Sequence, residues 1–129
     1  MDRRTIHELL DEARRTLKRL TPREAWDAAA RGGVLVDTRS EDERRLQGVV
    51  PGAVHCPLSV LEWRADPASG HSDLGLGFDA WIVLLCAEGY SSSLAAARLH
   101  VLGFHRATDV VGGVHAWKEA GLPVETPPT

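Results

Sequence analysis

The sequence predicts an α/β domain built on a mostly parallel sheet with helices on both faces. Three observations carry that expectation. Short apolar runs at 34–37 (VLVD), 53–57 (AVHCP), 81–85 (WIVLL) and 108–111 (TDVV) read as buried strands. Stretches with apolar residues at helical spacing lie between them. Strands that alternate with helices build right-handed crossovers, and crossovers of that hand produce a parallel sheet covered on both sides. At 129 residues the chain has room for one such domain with a proper core.

Composition narrows the class further. Hydrophobic residues make up 43% and charged residues 26%, the shares of an ordinary globular protein. Net charge is −3, and no basic stripe with interleaved aromatics is present, which argues against a nucleic-acid partner. No window approaches the roughly 18 apolar residues of a membrane span, so no membrane partner is expected. The start, MDRRTIHELLDEARRTLKRL, has charges throughout and no apolar signal core, which predicts a cytoplasmic protein. Cys56 and Cys86 are the only cysteines, and two thiols in such a chain are expected to stay reduced.

The elements follow in order. Ile6, Leu9, Leu10, Ala13, Leu17 and Leu20 predict an amphipathic first helix over residues 1–20. Thr21 caps a second helix, with Pro22 at its first position and Glu24 closing a capping box; it carries Trp26 and ends near Gly32 and Gly33. After the strand at 34–37, Ser40 and Glu43 form another capping box, opening a helix that stops by Gly48. Pro51 and Gly52 lead into a short strand ended by Pro57, and Ser59–Glu62 opens a short helix. Residues 66–77 are the one long Gly/Ser/Pro-rich loop. The strand at 81–85 hands over to a helix at 92–102, capped by Gly103. The strand at 108–111, Gly112 and Gly113, and a short helix closed by Gly121 complete the domain; the final PPT is expected to fray.

Cys86 stands where a buried strand hands over to a helix, in WIVLLCAEGYSSSLAAARL. In open sheets of this kind, ligands bind beyond the carboxyl ends of the strands. Residues 86–91 can bend so that backbone N–H groups converge beside a helix N-terminus, a nest that binds anions and favours thiolates. Gly89 supplies freedom for the turn, and Ser91, Ser92 and Ser93 add hydroxyls. Read alone, the stretch also fits a core cysteine followed by an incidental small-residue turn.

The segments VLVDTR (34–39), GVVPGAVHCPL (48–58), LLCAEGYSSSLAAARL (84–99) and DVVGGVHAWKEAGLPV (109–124) together resemble the rhodanese domain family in order and spacing. The resemblance runs from about Thr21 to Val124, which sets a rhodanese-like domain at 21–125, a preceding helix at 1–20 and a frayed tail at 126–129. It implies a parallel five-stranded sheet between helices, with Cys86 as the sulfur carrier. Ala87, Glu88, Gly89, Tyr90, Ser91 and Ser92 are then the substrate-binding loop. Members of the family take a sulfane sulfur from a small donor such as thiosulfate, mercaptopyruvate or another persulfide. They hold it as a cysteine persulfide and pass it to a thiol or cyanide acceptor, without a cofactor.

The chain departs from the family pattern in places. Val49 replaces the usual histidine of the Gly-His-Ile-Pro-Gly-Ala motif. Many active members have a basic residue where this chain has Ser91, and Glu88 is the loop's only charge. Gly89 and Ser91 are similar to the loop of mercaptopyruvate sulfurtransferases, but Ala87, Glu88 and Tyr90 do not complete that likeness, so the donor stays open. Phosphatase relatives of the fold carry an arginine six residues past the cysteine, where this chain has Ser92. A catalytically weak binding or redox-sensing module is the alternative to a sulfurtransferase.

Other residues invite weaker readings. Cys56 reads as a small buried hydrophobe rather than a resolving thiol. His55 beside it lacks further ligands at metal spacing, so no metal is expected. Asp37 and Arg39 sit at a strand end, as scaffold or as substrate contacts. Arg64 either approaches the pocket to bind an anionic donor or lies solvated. Trp117 reads as a core anchor, and Trp63 as core or pocket wall.

Overall fold

Four parallel strands form the centre of the computed structural model, which describes residues 2–126. The expected fraying of 127–129 lies outside the described residues. The elements are α1 (Ile6–Arg14), α2 (Pro22–Ala30), β1 (Val34–Asp37), α3 (Glu41–Gln47), β2 (Val54–His55), a single 3-10 turn (Leu58–Val60), α4 (Leu61–Ala65), β3 (Ile82–Leu85), α5 (Ser91–Val101), β4 (Thr108–Asp109) and α6 (Gly113–Glu119). The sheet order is β2-β1-β3-β4, with Val36 opposite Leu84 and Leu84 opposite Asp109. β3 lies at the centre and is buried throughout.

Alternation along the strands divides the core in two. Val36, Ile82 and Leu84 face Leu61 and Ala65 of α4 and Ala96 and Leu99 of α5. Leu35, Val83 and Leu85 face Ala25 of α2 and Val114 and Trp117 of α6. Trp117 is fully buried, and its indole N–H donates to the Pro123 carbonyl at 2.9 Å. Trp63 is 56% exposed, neither core nor pocket wall. Among the described residues, no helix is long and apolar enough to cross a membrane.

Both expected capping boxes form, at Thr21–Glu24 and Ser40–Glu43, and a third closes at Thr5–Glu8. The Thr21 N–H donates to Glu24 Oε1 at 2.9 Å, and that backbone donor holds the Glu24 carboxyl below its ordinary range.

Two expectations are corrected at the sheet edge. The first helix does not run to residue 20 but ends at Arg14. Its last turn tightens, with the Arg15 N–H on the Glu12 carbonyl and the Leu17 N–H on the Arg14 carbonyl. The chain then extends so that the Leu20 N–H donates to the Asp109 carbonyl at 3.0 Å, and the Leu20 carbonyl accepts from the Val111 N–H at 2.8 Å. That single bridge, Leu20 to Val110, occupies the edge beside β4, so the sheet has four strands and not five. Both backbone groups of Leu20 find partners there, which is why the apolar helical spacing does not decide this stretch.

Candidate active site

Cys86 directly follows β3, whose buried run ends at Leu85. The thiol is 6% exposed and lies at the base of a cleft of about 460 Å³. Thr38, Arg39, Ser40, Pro57, Leu58 and Ser59 form one wall, at the carboxyl ends of β1 and β2; Ala87, Glu88, Tyr90 and Ser91 form the other. Thr38 ties the walls together, since its N–H and hydroxyl each donate to the Leu85 carbonyl at 2.8 Å.

Two groups reach the sulfur. The Gly89 N–H donates to Cys86 Sγ at 3.1 Å, and the thiol donates to Ser92 Oγ at 3.1 Å. The Ser92 hydroxyl in turn donates to Asp109 Oδ2 at 2.7 Å, and Ser93 Oγ donates to the same oxygen at 2.8 Å. Asp109 is fully buried, and Arg19 Nε at 2.8 Å balances its charge. Gly89 has φ +82°, and a Cβ there would lie 2.7 Å from the Gly112 nitrogen and 2.9 Å from the Val110 carbonyl oxygen. The loop therefore closes only with glycine at that position. Its carbonyls are also held, because the Val114 N–H donates to the Cys86 carbonyl at 2.9 Å and the His115 N–H to the Ala87 carbonyl at 3.0 Å.

The remaining candidates separate. Asp37 and Arg39 form a buried, two-pronged ion pair, with Arg39 Nε on Oδ1 at 3.0 Å and Nη2 on Oδ2 at 2.8 Å. Arg39 also donates to Gln47 Oε1 and the Gly48 carbonyl, so its guanidinium is committed to the scaffold behind the cleft. Arg64 does not reach the cleft. Its Nε pairs with Asp73 at 2.8 Å and its Nη1 points to the His55 carbonyl at 3.4 Å, so of the two readings of Arg64 the structure supports the one away from the pocket. That hydrogen bond to Asp73 raises the guanidinium above its ordinary value. Cys56 is fully buried in the core, where desolvation pushes its thiol up. Glu88 is exposed at the rim, Ser91 is half-buried beside it, and Ser92 faces Asp109 rather than the opening. Sequence reasoning missed Asp109, Arg14 and Arg19 as parts of this site.

A model of the rhodanese-like domain matches residues 21–120. The thiosulfate sulfurtransferase GlpE of Actinobacillus succinogenes is 32% identical over 108 residues, covering 83% of this chain and 89% of its own length. GlpE of Haemophilus influenzae is 33% identical over 113 residues, covering 84% and 95%. A Rhodopseudomonas palustris structure, described as a protein of unknown function and possible tyrosine phosphatase, superposes with a TM-score of 0.89 at 33% identity, covering 97% of each chain.

Proposed function

The chain belongs to the rhodanese-like domain family, and from that membership we propose that it is a sulfurtransferase in which Cys86 carries the transferred sulfur. Relatives named thiosulfate sulfurtransferase at 32–33% identity support the reaction class. The observation that carries the residue assignment is the thiol at the base of a cleft, with the Gly89 N–H and the Ser92 hydroxyl both on its sulfur. Cys56, the other thiol, is sealed in the core.

In the first half-reaction, the Cys86 thiolate attacks the sulfane sulfur of the donor. A new S–S bond forms; with thiosulfate the donor's S–S bond breaks and the electron pair leaves on sulfite, and with mercaptopyruvate the C–S bond breaks and the pair leaves on the pyruvate enolate, which takes a proton. In the second, cyanide or an acceptor thiolate attacks the outer sulfur of the persulfide. The Cys86 S–S bond breaks, and the thiolate is restored. Two displacements at one nucleophile predict ping-pong kinetics. The Gly89 N–H is aimed at Cys86 Sγ, the atom that carries the charge of the thiolate. Once the thiol has given its proton to water, the Ser92 hydroxyl is free to turn from Asp109 to the thiolate, because Asp109 keeps Ser93 and Arg19.

A phosphatase reading finds no support in the loop. The position that would carry a phosphate-clamping arginine is Ser92, buried and bonded to Asp109. Two unpaired thiols support a reducing compartment such as the cytoplasm. Thiocyanate formation from cyanide, with thiosulfate and with mercaptopyruvate, tests the proposal. Turnover is expected, and its absence with both donors would favour a binding module.

The rim sets a further expectation about the donor. Glu88 and Glu43 both line the cleft, and Arg39, the cleft's cation among the described residues, is committed to Asp37. A thiosulfate dianion therefore meets a carboxylate on entry. Glu88→Gln combined with Ser91→Arg lowers that repulsion and adds paired donors that match a sulfonate face. With an exposed rim, the double variant is expected to raise kcat/KM for thiosulfate about tenfold. High salt should shrink the gain. Mercaptopyruvate, a monoanion, should gain less. An unchanged thiosulfate rate in the folded variant would mean that positions 88 and 91 do not meet the donor.

A further inference from the structure

We propose that Arg14 and Arg19 are positioning residues for sulfur transfer at Cys86, supplying from behind the loop the positive charge that the loop itself lacks. Both precede the segment that the rhodanese-like domain model matches, which begins at residue 21. Arg14 ends α1, and Arg19 lies in the extended stretch that follows. Both guanidinium groups converge on one atom, the Gly89 carbonyl oxygen, with Arg14 Nη2 at 2.8 Å and Arg19 Nη2 at 3.0 Å. Arg14 Nε also donates to Ser93 Oγ at 3.1 Å, and its guanidinium lies 5.8 Å from the centre of the Tyr90 ring. Arg19 holds Asp109 through both oxygens, at 2.8 and 3.2 Å.

Two consequences reach the sulfur. First, Arg19, Asp109, Ser92 and Cys86 form an unbroken chain of hydrogen bonds, and Arg19 stays paired with Asp109 when the Ser92 hydroxyl turns to the thiolate. Second, the peptide joining Gly89 to Tyr90 is trans, so its carbonyl and its N–H point in opposite directions. With the carbonyl drawn back by two cations, the Tyr90 N–H is turned towards the open side of the loop. Among the described residues, that N–H donates to no backbone or side-chain acceptor of the protein. Cations on the carbonyl polarise the amide and strengthen its N–H as a donor. An anionic sulfur in the cleft would meet the Gly89 N–H from one peptide and the polarised Tyr90 N–H from the next. Neither arginine lines the cleft, so neither is a catalytic residue.

The inference rests on the sulfurtransferase reading, and the experiment separates the two. Arg14→Gln is the main variant, because Arg14 donates to neutral oxygens and its loss strands no carboxylate. Arg19→Lys keeps a charge opposite Asp109 and is the second. Thiosulfate:cyanide kinetics are measured together with the rate of iodoacetamide labelling at Cys86 at one fixed pH. Cys56 serves as the buried reference, and melting curves check the fold. Arg14→Gln is expected to lower kcat about tenfold, with KM for thiosulfate changed by less than about twofold, since it loses charge-assisted bonds outside the cleft. Labelling of Cys86 should slow by a similar factor, and Arg14→Lys should recover most of both. A merely structural role would do the opposite to labelling, because a loosened loop exposes the thiol and speeds alkylation. Unchanged kcat with unchanged or faster labelling in Arg14→Gln and Arg19→Lys overturns the inference. If the unmodified protein does not turn over, the sulfurtransferase reading fails, and the labelling rates alone judge the arginines.

Discussion

Cys86→Ser is expected to abolish sulfur transfer, lowering kcat by roughly a thousandfold or more, the scale on which removal of an enzyme nucleophile acts. A serine hydroxyl at this position can still donate to Ser92 Oγ, so the chain through Ser92 to Asp109 survives and the loop keeps its shape. What disappears is the thiophilic atom. Oxygen neither attacks a sulfane sulfur at a useful rate nor holds the product as a persulfide, and both half-reactions pass through that bond. The thiol is nearly buried, and serine is close to it in volume, so the melting temperature should move little. Loss of turnover with an intact melting curve separates chemistry from folding. Residual turnover within about tenfold of the parent protein would place the sulfur elsewhere.

Gly113→Ala is expected to cost more than about 3 kcal/mol, which lowers Tm by more than about 10 °C for a domain of this size. Gly113 has φ +59°, and a Cβ built there would sit 2.4 Å from the Cys86 carbonyl oxygen and 2.8 Å from the carbonyl carbon and oxygen of Ala87. All three atoms are backbone, so no side chain can swing away. The clash also falls where the first turn of α6 donates its Val114 and His115 N–H groups to those two carbonyls. The segment from Gly112 to Trp117 is thus the seat of the cysteine loop, and moving it moves Cys86. Gly121→Ala is the control. It has φ +77° but nothing within 4 Å of its Cβ, so it should cost only the roughly 1–2 kcal/mol of a left-handed alanine. Equal losses in the two variants would mean that the close approach at Gly113 carries no energy.

Much of this architecture is legible in the sequence, because the signals are local. Thr21 with Glu24, and Ser40 with Glu43, announce helix starts through residues three apart. The unbroken apolar run to Leu85 marks a strand buried on both faces, and the small polar residues after Cys86 mark the strand-to-helix loop. The resemblance to a family then assigns that loop a chemistry. The failures are non-local. Leu20 continues the apolar spacing of α1, yet its backbone is claimed by Asp109 and Val111, so helix and sheet edge compete and the edge wins. The implied fifth strand shrinks to that one bridge. Arg64 is an arginine near a pocket in sequence but faces Asp73 in space. Arg14 and Arg19 carry no signal in the sequence, because nothing near them in the chain reveals that their acceptors lie on Gly89 and Asp109. Asp109 is hidden for the same reason, as a strand-end acid whose four donors come from Arg19, Ser92 and Ser93.

The central claim is that sulfur resides on Cys86 between donor and acceptor, and mass spectrometry of peptides from thiosulfate-treated protein tests it most directly. The account predicts the mass of one added sulfur atom on the peptide containing Cys86, removed by cyanide with release of thiocyanate, and none on the peptide containing Cys56. Sulfur on Cys56 alone, or uptake that survives Cys86→Ser, would contradict it.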